Sequence, residues 1–331
     1  MTNEVNSAKR AGTSQKALKN ENTLLSYAKV LLTNPSSFVR LRRMDRGEER
    51  YVPPPRSYEL PEYRKGMKYS TSHEPYVRPT LRCNPRKPVV VALAHELGAY
   101  ELSDREFAEA AYWWIKKNMW YGATGFDDAS VTLMRGSGMC LDFANAYVAL
   151  CRCAGIKARY KSYEMQFNRL EQAVIGELNP GFATVAAAGG VIQEAECEVC
   201  LDSEWVTAYV AQPAALTATT GWPVTEFGES SLGLYFEPLP GSIRRFESIP
   251  FGLFLQVQLL MIFAPATMER LNVMMSRIQK VGLQEIESAG GVEKYNEIAK
   301  RRRELASAAE ILDEQALKHL DKIIIKNPQN A

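Results

Sequence analysis

Ten residues constrain this chain more than any other stretch: Gly136-Ser137-Gly138-Met139-Cys140-Leu141-Asp142-Phe143-Ala144-Asn145. Two glycines permit a tight backbone turn, and a cysteine stands where an apolar-periodic run begins. The run continues through Ala146-Tyr147-Val148-Ala149-Leu150-Cys151-Arg152-Cys153-Ala154 and meets Gly155, a natural helix terminator. The pattern predicts a helix with a thiol at its N-terminus. Unpaired N–H groups and the positive end of the helix dipole favour thiolate there, the reactive form of cysteine. An inert buried cysteine in a glycine turn fits the same residues.

The flanks read as mixed helix and strand. Ser103-Asp104-Arg105-Glu106 is a capping box that opens a helix carrying Phe107, Ala110, Ala111, Trp114 and Ile115 and ending near Asn118. Trp120-Tyr121 follows, then a loop, then Ala129 to Met134 into the glycine turn. Beyond the cysteine helix, Ile156 to Met165 alternates as a strand around Ala158, Tyr160 and Ser162. Two further strands are expected, Val191 to Leu201 and Glu204 to Val210, across an Asp202-Ser203 turn. Between them and the first strand, Ala186 to Gly190 reads as a linker or loop. A long Gly/Pro/Ser-punctuated stretch covers 211–250. Helices dominate thereafter, including Pro265 to Val281, whose Met268, Leu271, Met274, Met275 and Ile278 form an apolar stripe.

The first 88 residues differ from the rest. Residues 1–90 hold 18 Lys and Arg against 8 Asp and Glu, whereas the whole chain carries only +2. Such a basic arm is a solvated tail or a partner contact, with nucleic acid or an anionic surface as the sharper option. Asn22-Thr23 can cap a short amphipathic helix to about Leu32, ended by Asn34-Pro35. From 51 to 88 the chain shows no helical period and reads as extended, with Tyr51, Tyr58, Tyr63, Tyr69 and Tyr76 as anchors on the main domain. Three regions result: a basic arm (1–88), a core (89–241) and a helical C-terminal region (242–331) that offers a surface for a protein partner. The first twenty residues are polar and lack the apolar segment of a secretory signal. The longest apolar run, Phe251 to Phe263, is too short to span a bilayer and reads as a core helix. Six cysteines in that context point to free thiols in a reducing, cytoplasmic setting.

The order Leu133-x-x-Gly136-x-Gly138-x-Cys140-x-Asp142-Phe143-Ala144, then Arg152-Cys153-Ala154-Gly155-Ile156-Lys157-Ala158-Arg159, resembles the transglutaminase-like superfamily. Glu198-Val199-Cys200-Leu201-Asp202-Ser203-Glu204-Trp205 resembles that family's later hairpin. The resemblance covers roughly residues 100–210. It implies an α+β, papain-like core with an antiparallel sheet and Cys140 as nucleophile. It also implies a histidine just before the hairpin and an aspartate just after its tryptophan. Here Glu194 stands at the histidine position and Tyr209 at the aspartate position, and the three histidines, His73, His95 and His319, lie elsewhere. Papain-like sites take an oxyanion donor from a side chain upstream of the cysteine, which nominates Trp120 or Tyr121.

Other constellations carry less. Cys197 and Cys200 are three apart on an expected strand, so their side chains diverge, and Cys151 and Cys153 diverge on a helix. No metal site and no cofactor are expected. Trp205 and Trp222 read as packing anchors, Asp142 as support for the helix start, and Lys300 to Arg303 as a solvated patch. His95 is the one histidine in the folded region ahead of the cysteine that could act as a base.

Two functions remain open on the sequence. One is thiol-dependent acyl transfer or amide-bond chemistry through Cys140 on a small-molecule, peptide or carrier-bound acyl substrate. The other is a catalytically degenerate transglutaminase-like fold that binds or scaffolds. Without a histidine, the first requires another group to take and return the proton.

Overall fold

A computed structural model describes residues 49–165, 192–232 and 238–304, together with Val39, Arg42 and Arg43. In chain order its elements are α1 (Pro88–Glu96), α2 (Asp104–Asn118), β1 (Trp120–Tyr121), α3 (Ala129–Arg135), β2 (Ser137–Gly138) and α4 (Cys140–Cys153). Next come β3 (Ala158–Met165), β4 (Ile192–Leu201), β5 (Glu204–Ala208), α5 (Ala214–Thr219), β6 (Arg244–Phe246), α6 (Phe251–Phe263), α7 (Pro265–Ala289) and α8 (Val292–Glu304). The fold is α+β. Its antiparallel sheet has the order β5-β4-β3-β6, and β1 and β2 form a separate short parallel pair.

Local chemistry sets the element ends. Ser103 Oγ accepts the Glu106 N–H at 3.3 Å while the Glu106 carboxylate accepts the Ser103 N–H at 3.0 Å, completing the expected capping box of α2. Asp128 caps α3 by accepting the Ser130 N–H at 2.9 Å. Gly136 then ends α3 at φ +79°, a left-handed conformation that costs glycine little. At the β4–β5 hairpin, Asp202 and Ser203 both take positive φ, 52° and 70°, the type I′ pattern that matches strand twist.

Helix α4 is the centre of the core, with every residue from Leu141 to Cys153 buried. Helices α1, α2 and α3 surround it, and one sheet face closes on it. On that face Tyr160 donates to Asn145 Oδ1 at 2.7 Å, and Cys197 Sγ lies 3.4 Å from the Ala144 carbonyl oxygen. The other face carries a ladder of charge. Register pairs Arg159 with Glu198, Lys161 with Glu196 and Tyr163 with Glu194. The first two rungs are ion pairs at 2.6 and 2.7 Å, and Arg245 on β6 adds a second contact to Glu198 at 3.0 Å.

The C-terminal helices are fastened to the core by side-chain amides. Asn272 on α7 accepts the Ala123 N–H at 2.6 Å and donates to its carbonyl at 3.0 Å. Two turns on, Gln279 does the same to Tyr121, at 2.8 and 2.9 Å. On α8, Asn296 pairs likewise with Val224, at 2.7 and 2.9 Å. Each carboxamide supplies one donor and one acceptor, as a neighbouring strand would. Helix α7 also crosses α5 with no room to spare: a Cβ at Gly282 would lie 1.8 Å from the Ala215 carbonyl oxygen.

Several sequence expectations change. The stretch 211–250 contains α5 and β6, each too short for periodicity to reveal. Helix α7 continues to Ala289, eight residues past the expected end at Val281, because Gly282 is a packing glycine and the terminator is Gly290 at φ +86°. The apolar run 251–263 is a helix, but not one enclosed in the core. Leu253 is buried and Gln258 donates to Phe126 O at 3.2 Å, whereas Phe251 and Ile262 are exposed. Among the tyrosine anchors, Tyr58 donates to Leu133 O at 2.5 Å and meets Trp114 edge-on, and Tyr76 meets Trp205. Tyr63 is exposed instead. The helix expected at 22–32, the segment 186–190 and His319 lie outside the described residues. Among the described residues no helix is long and apolar enough to cross a membrane.

The α7–α5 crossing is testable. Gly282→Ala must push the two helices apart, and we expect it to lower unfolding stability by about 1–3 kcal/mol or more. Urea denaturation of the two proteins measures this, and a variant within about 0.5 kcal/mol of the parent would refute the close crossing.

Candidate active site

Two backbone devices aim Cys140. The β1–β2 pair aligns Trp120 with Ser137 and Tyr121 with Gly138, so the upstream aromatic pair lies beside the turn that delivers the cysteine. Cys140 is then the first residue of α4, with Met139 as N-cap in extended conformation. Asp142, at the third helical position, holds this turn. Its carboxylate accepts the Met139 N–H at 2.8 Å, the Asp127 N–H at 3.1 Å and the Thr132 hydroxyl at 3.3 Å. Asp127 is in turn tied to Arg135 at 2.6 Å. Gly138 is required here, since a Cβ would lie 2.5 Å from Asp142 Cβ. Asp142 is thus a support for the helix start, as its position suggested.

Around the sulfur the structure gathers residues that are far apart in sequence. The Glu194 carboxylate and the Leu141 N–H both act on the Cys140 thiol, the first disfavouring and the second favouring its charged form. Cys140 and Trp222 pack against Tyr209 and Ala211. Tyr121 and Tyr163 both lie within electrostatic range of Cys140 and Glu194. The residues at the family's histidine and aspartate positions are therefore beside the cysteine, although neither is a histidine or an aspartate. The Trp120 indole N–H is buried without a hydrogen-bond partner.

The electrostatics run against simple activation by the helix. Burial and the Glu194 charge push the thiol well above its ordinary range, Asp142 adds to this, and the Leu141 N–H only partly offsets it. The helix terminus acts in the expected direction, but desolvation and two carboxylates outweigh it. Cys140 is a neutral thiol at physiological pH. Tyr121 is likewise held in its neutral, donating form by burial and the neighbouring negative charge.

Lys116, which the sequence reading did not single out, lies in the same neighbourhood. It is fully buried on α2, donates to Gln212 O at 2.8 Å and Thr225 Oγ1 at 3.1 Å, and lies 5.2 Å from the Tyr209 ring centre. Burial lowers it to about 7, against the pull of Glu194 and Glu229. A signal existed: Lys116 is four residues after Tyr112 and next to Ile115, inside the apolar stripe of α2. Trp222, read as an anchor, packs against the same Tyr209 and Ala211 cluster as Cys140.

His95 is not part of the site. Its ring contacts Lys68 O at 2.7 Å and lies 5.9 Å from the Tyr100 ring, whose hydroxyl donates to Cys153 O. That is the far end of α4, about 20 Å from Cys140 at 1.5 Å per residue. His73 is exposed beside Glu74, which pairs with Lys157 at that same end. Trp205 serves as a platform for the Arg159 guanidinium at 3.8 Å. Among the described residues no group of three or more His, Cys, Asp or Glu is arranged to hold a metal ion.

Residues 91–210 match the family model described as the transglutaminase-like superfamily, and this segment has the α+β, papain-like architecture that the cysteine motif resembles. One solved structure, a candidate cysteine protease from Cytophaga hutchinsonii, aligns with 19% identity and a TM-score of 0.31, over 52% of this chain and 50% of that one. The chain thus spans about half of that structure, a likeness too slight to build on. No curated protein matches the chain.

The Asp142 staple has a pH signature. Burial raises its carboxyl to about 7, well above the usual carboxylate range, although the Met139 and Asp127 N–H groups and the Arg135 charge oppose the shift. Between about pH 4 and 7 the folded state therefore binds this proton more tightly than the unfolded state, so the group's contribution to stability falls as pH rises through that window. We expect urea midpoints to decline from pH 5 to pH 8, and Asp142→Asn to flatten that slope. Parallel profiles for parent and variant would refute the assignment.

Proposed function

We propose that this protein carries out thiol-dependent acyl transfer at Cys140, with Glu194 as the proton acceptor and donor in place of a histidine. The observation that carries this reading is a cysteine at the first residue of a buried helix, with the Glu194 charge acting on its thiol. In the resting pair the proton is on sulfur. Reference values separate a glutamate from a cysteine by about four units, roughly 6 kcal/mol, and the raised thiol widens that gap. Proton transfer to Glu194 is therefore a substantial share of the reaction barrier, which the oxyanion donors must offset.

The steps balance without a further reactant. As sulfur attacks an acyl carbon, the S–H proton passes to Glu194 and the S–C bond forms. The oxyanion faces the Cys140 N–H, which lies outside the intrahelical ladder, with Tyr121 or the unpaired Trp120 indole as second donor. Glu194 then protonates the leaving group and a thioester remains. Water or an amine gives a proton to Glu194, attacks the thioester and breaks the C–S bond, and sulfur regains its proton. Substrates are acyl donors of small-molecule, peptide or carrier-bound type.

A second reading, a binding module on a degenerate transglutaminase-like fold, is favoured by the suppressed acidity of the thiol. One pair of measurements separates the two. Glu194→Gln removes a negative charge beside the sulfur, so the thiol becomes more acidic and iodoacetamide alkylates Cys140 faster at a given pH. If Glu194 moves the proton, the same variant acylates on p-nitrophenyl acetate at least about 10²-fold more slowly. Intact-mass detection of the adduct, with Cys140→Ala as blank, follows this. Faster alkylation together with unimpaired acylation would sink the role of Glu194, and an adduct on Cys140→Ala would sink the nucleophile.

A further inference from the structure

Lys116 has no task in the chemistry above, yet it is costly to keep. A buried ammonium loses several kcal/mol of solvation unless the protein replaces it. Both direct acceptors, Gln212 O and Thr225 Oγ1, are neutral oxygens. They satisfy donors but do not balance charge. The negative charges it feels are those of Glu194 on β4 and Glu229 in the segment between α5 and β6.

The surroundings give this cation a direction. Its Nζ lies 5.2 Å from the Tyr209 ring centre and 5.8 Å from that of Tyr112, so two aromatic rings share the charge. Cys140 packs against the cluster of Tyr209 and Ala211, and the Glu194 charge acts on the Cys140 thiol. Lys116 is thus coupled to the cysteine by two routes, one through a ring and one through a carboxylate. Thr225 Oγ1 also meets the Tyr112 hydroxyl at 2.8 Å, which fixes the acceptor that Lys116 uses. The neighbouring Lys117 is committed elsewhere, to Glu293 at 2.8 Å and the Trp113 ring.

We propose that Lys116 is the positioning cation of the Cys140 site: its buried ammonium keeps Glu194 ionised as the proton acceptor and seats the Tyr209 ring against the nucleophile. The inference deepens the Cys140–Glu194 reading and rests on it. A cation behind the carboxylate does for Glu194 what an aspartate does for a histidine, with both charges reversed. Because burial brings Lys116 down to about 7, its own deprotonation falls within the working range, and the site loses its counter-charge as pH rises past neutrality. The titratable groups that face it are Glu194, Glu229, Tyr112 and Tyr209, with Cys140 beyond Glu194.

The test uses the full chain as wild type, Lys116→Met and Glu194→Gln. With p-nitrophenyl acetate as donor, the acid limb of the acylation pH profile reports ionisation of Glu194. In Lys116→Met this limb should move to higher pH by about one unit, since the carboxylate loses a favourable charge. A purely structural lysine would lower the rate without moving the limb, and an unmoved limb overturns the inference. The second measurement needs neither turnover nor a variant at Lys116. With lysines labelled with 15N at Nζ, the Lys116 titration midpoint should be lower in Glu194→Gln than in wild type, because the carboxylate that supports the ammonium is gone. An unchanged midpoint overturns the inference even if Lys116→Met does not fold. Wild-type acylation by Glu194→Gln would instead refute the Cys140–Glu194 reading, and the Nζ midpoint would then decide the Lys116–Glu194 coupling alone.

Discussion

The architecture depends on one buried cation, Arg152 near the end of α4. Its guanidinium donates to Ala158 O at 3.2 and 2.9 Å, to Arg78 O at 3.2 Å and to Glu247 O at 2.6 Å, and it lies 5.9 Å from the Tyr160 ring centre. Those carbonyls belong to the extended arm ahead of α1, the first strand of the sheet and the segment after β6. Three stretches distant in sequence therefore converge on the last turn of the central helix. A fork of five donors suits this; an ammonium would reach fewer carbonyls. Removing it would leave several buried carbonyls unsatisfied at once. With its C-terminal end fixed in this way and its sides buried, α4 has little freedom to rotate or slide, and the thiol at its first residue inherits that precision.

At the other end the same helix is held by a carboxylate. Asp142 ties the N-cap to Asp127 and Thr132, and the β1–β2 pair ties the preceding turn to Tyr121. The site is thus built on an element held by the Arg152 guanidinium at one end and by the hydrogen-bonded Asp142 carboxyl at the other, a group whose charged form burial disfavours. The same burial keeps the Cys140 thiol beside it neutral. Close packing of the helix start and acidity of the thiol oppose each other within three residues.

What the sequence made legible was what local periodicity and spacing encode. The cysteine turn, the α2 capping box, the α4 helix and the β4–β5 hairpin all follow from residues close together in the chain, and they appear where expected within a residue or two. Glu194 and Tyr209 were found only as occupants of positions that a family pattern implies. Lys116 was hidden for a different reason: a lysine in a helix is ordinarily solvated, and only its place in the apolar stripe with Tyr112 and Ile115 shows otherwise. The helix α5 and the strand β6 were missed because six and three residues carry no readable period. Contacts such as Gln279 with Tyr121 leave no local trace, since a glutamine on a helix looks the same whether it faces water or a strand.

Those carboxamide contacts bear on the order in which the molecule is made. Tyr121 and Ala123, which run beside the cysteine turn, find their hydrogen-bond partners on Gln279 and Asn272, about 150 residues later. During synthesis the ribosome exposes the Cys140 helix long before those amides exist. Loop closure over such a separation is entropically slow, and the backbone groups of Tyr121 and Ala123 that α7 will pair stay open until it emerges. The wall beside Cys140 is therefore completed only after α7 has emerged, and the thiol is formed early but framed late.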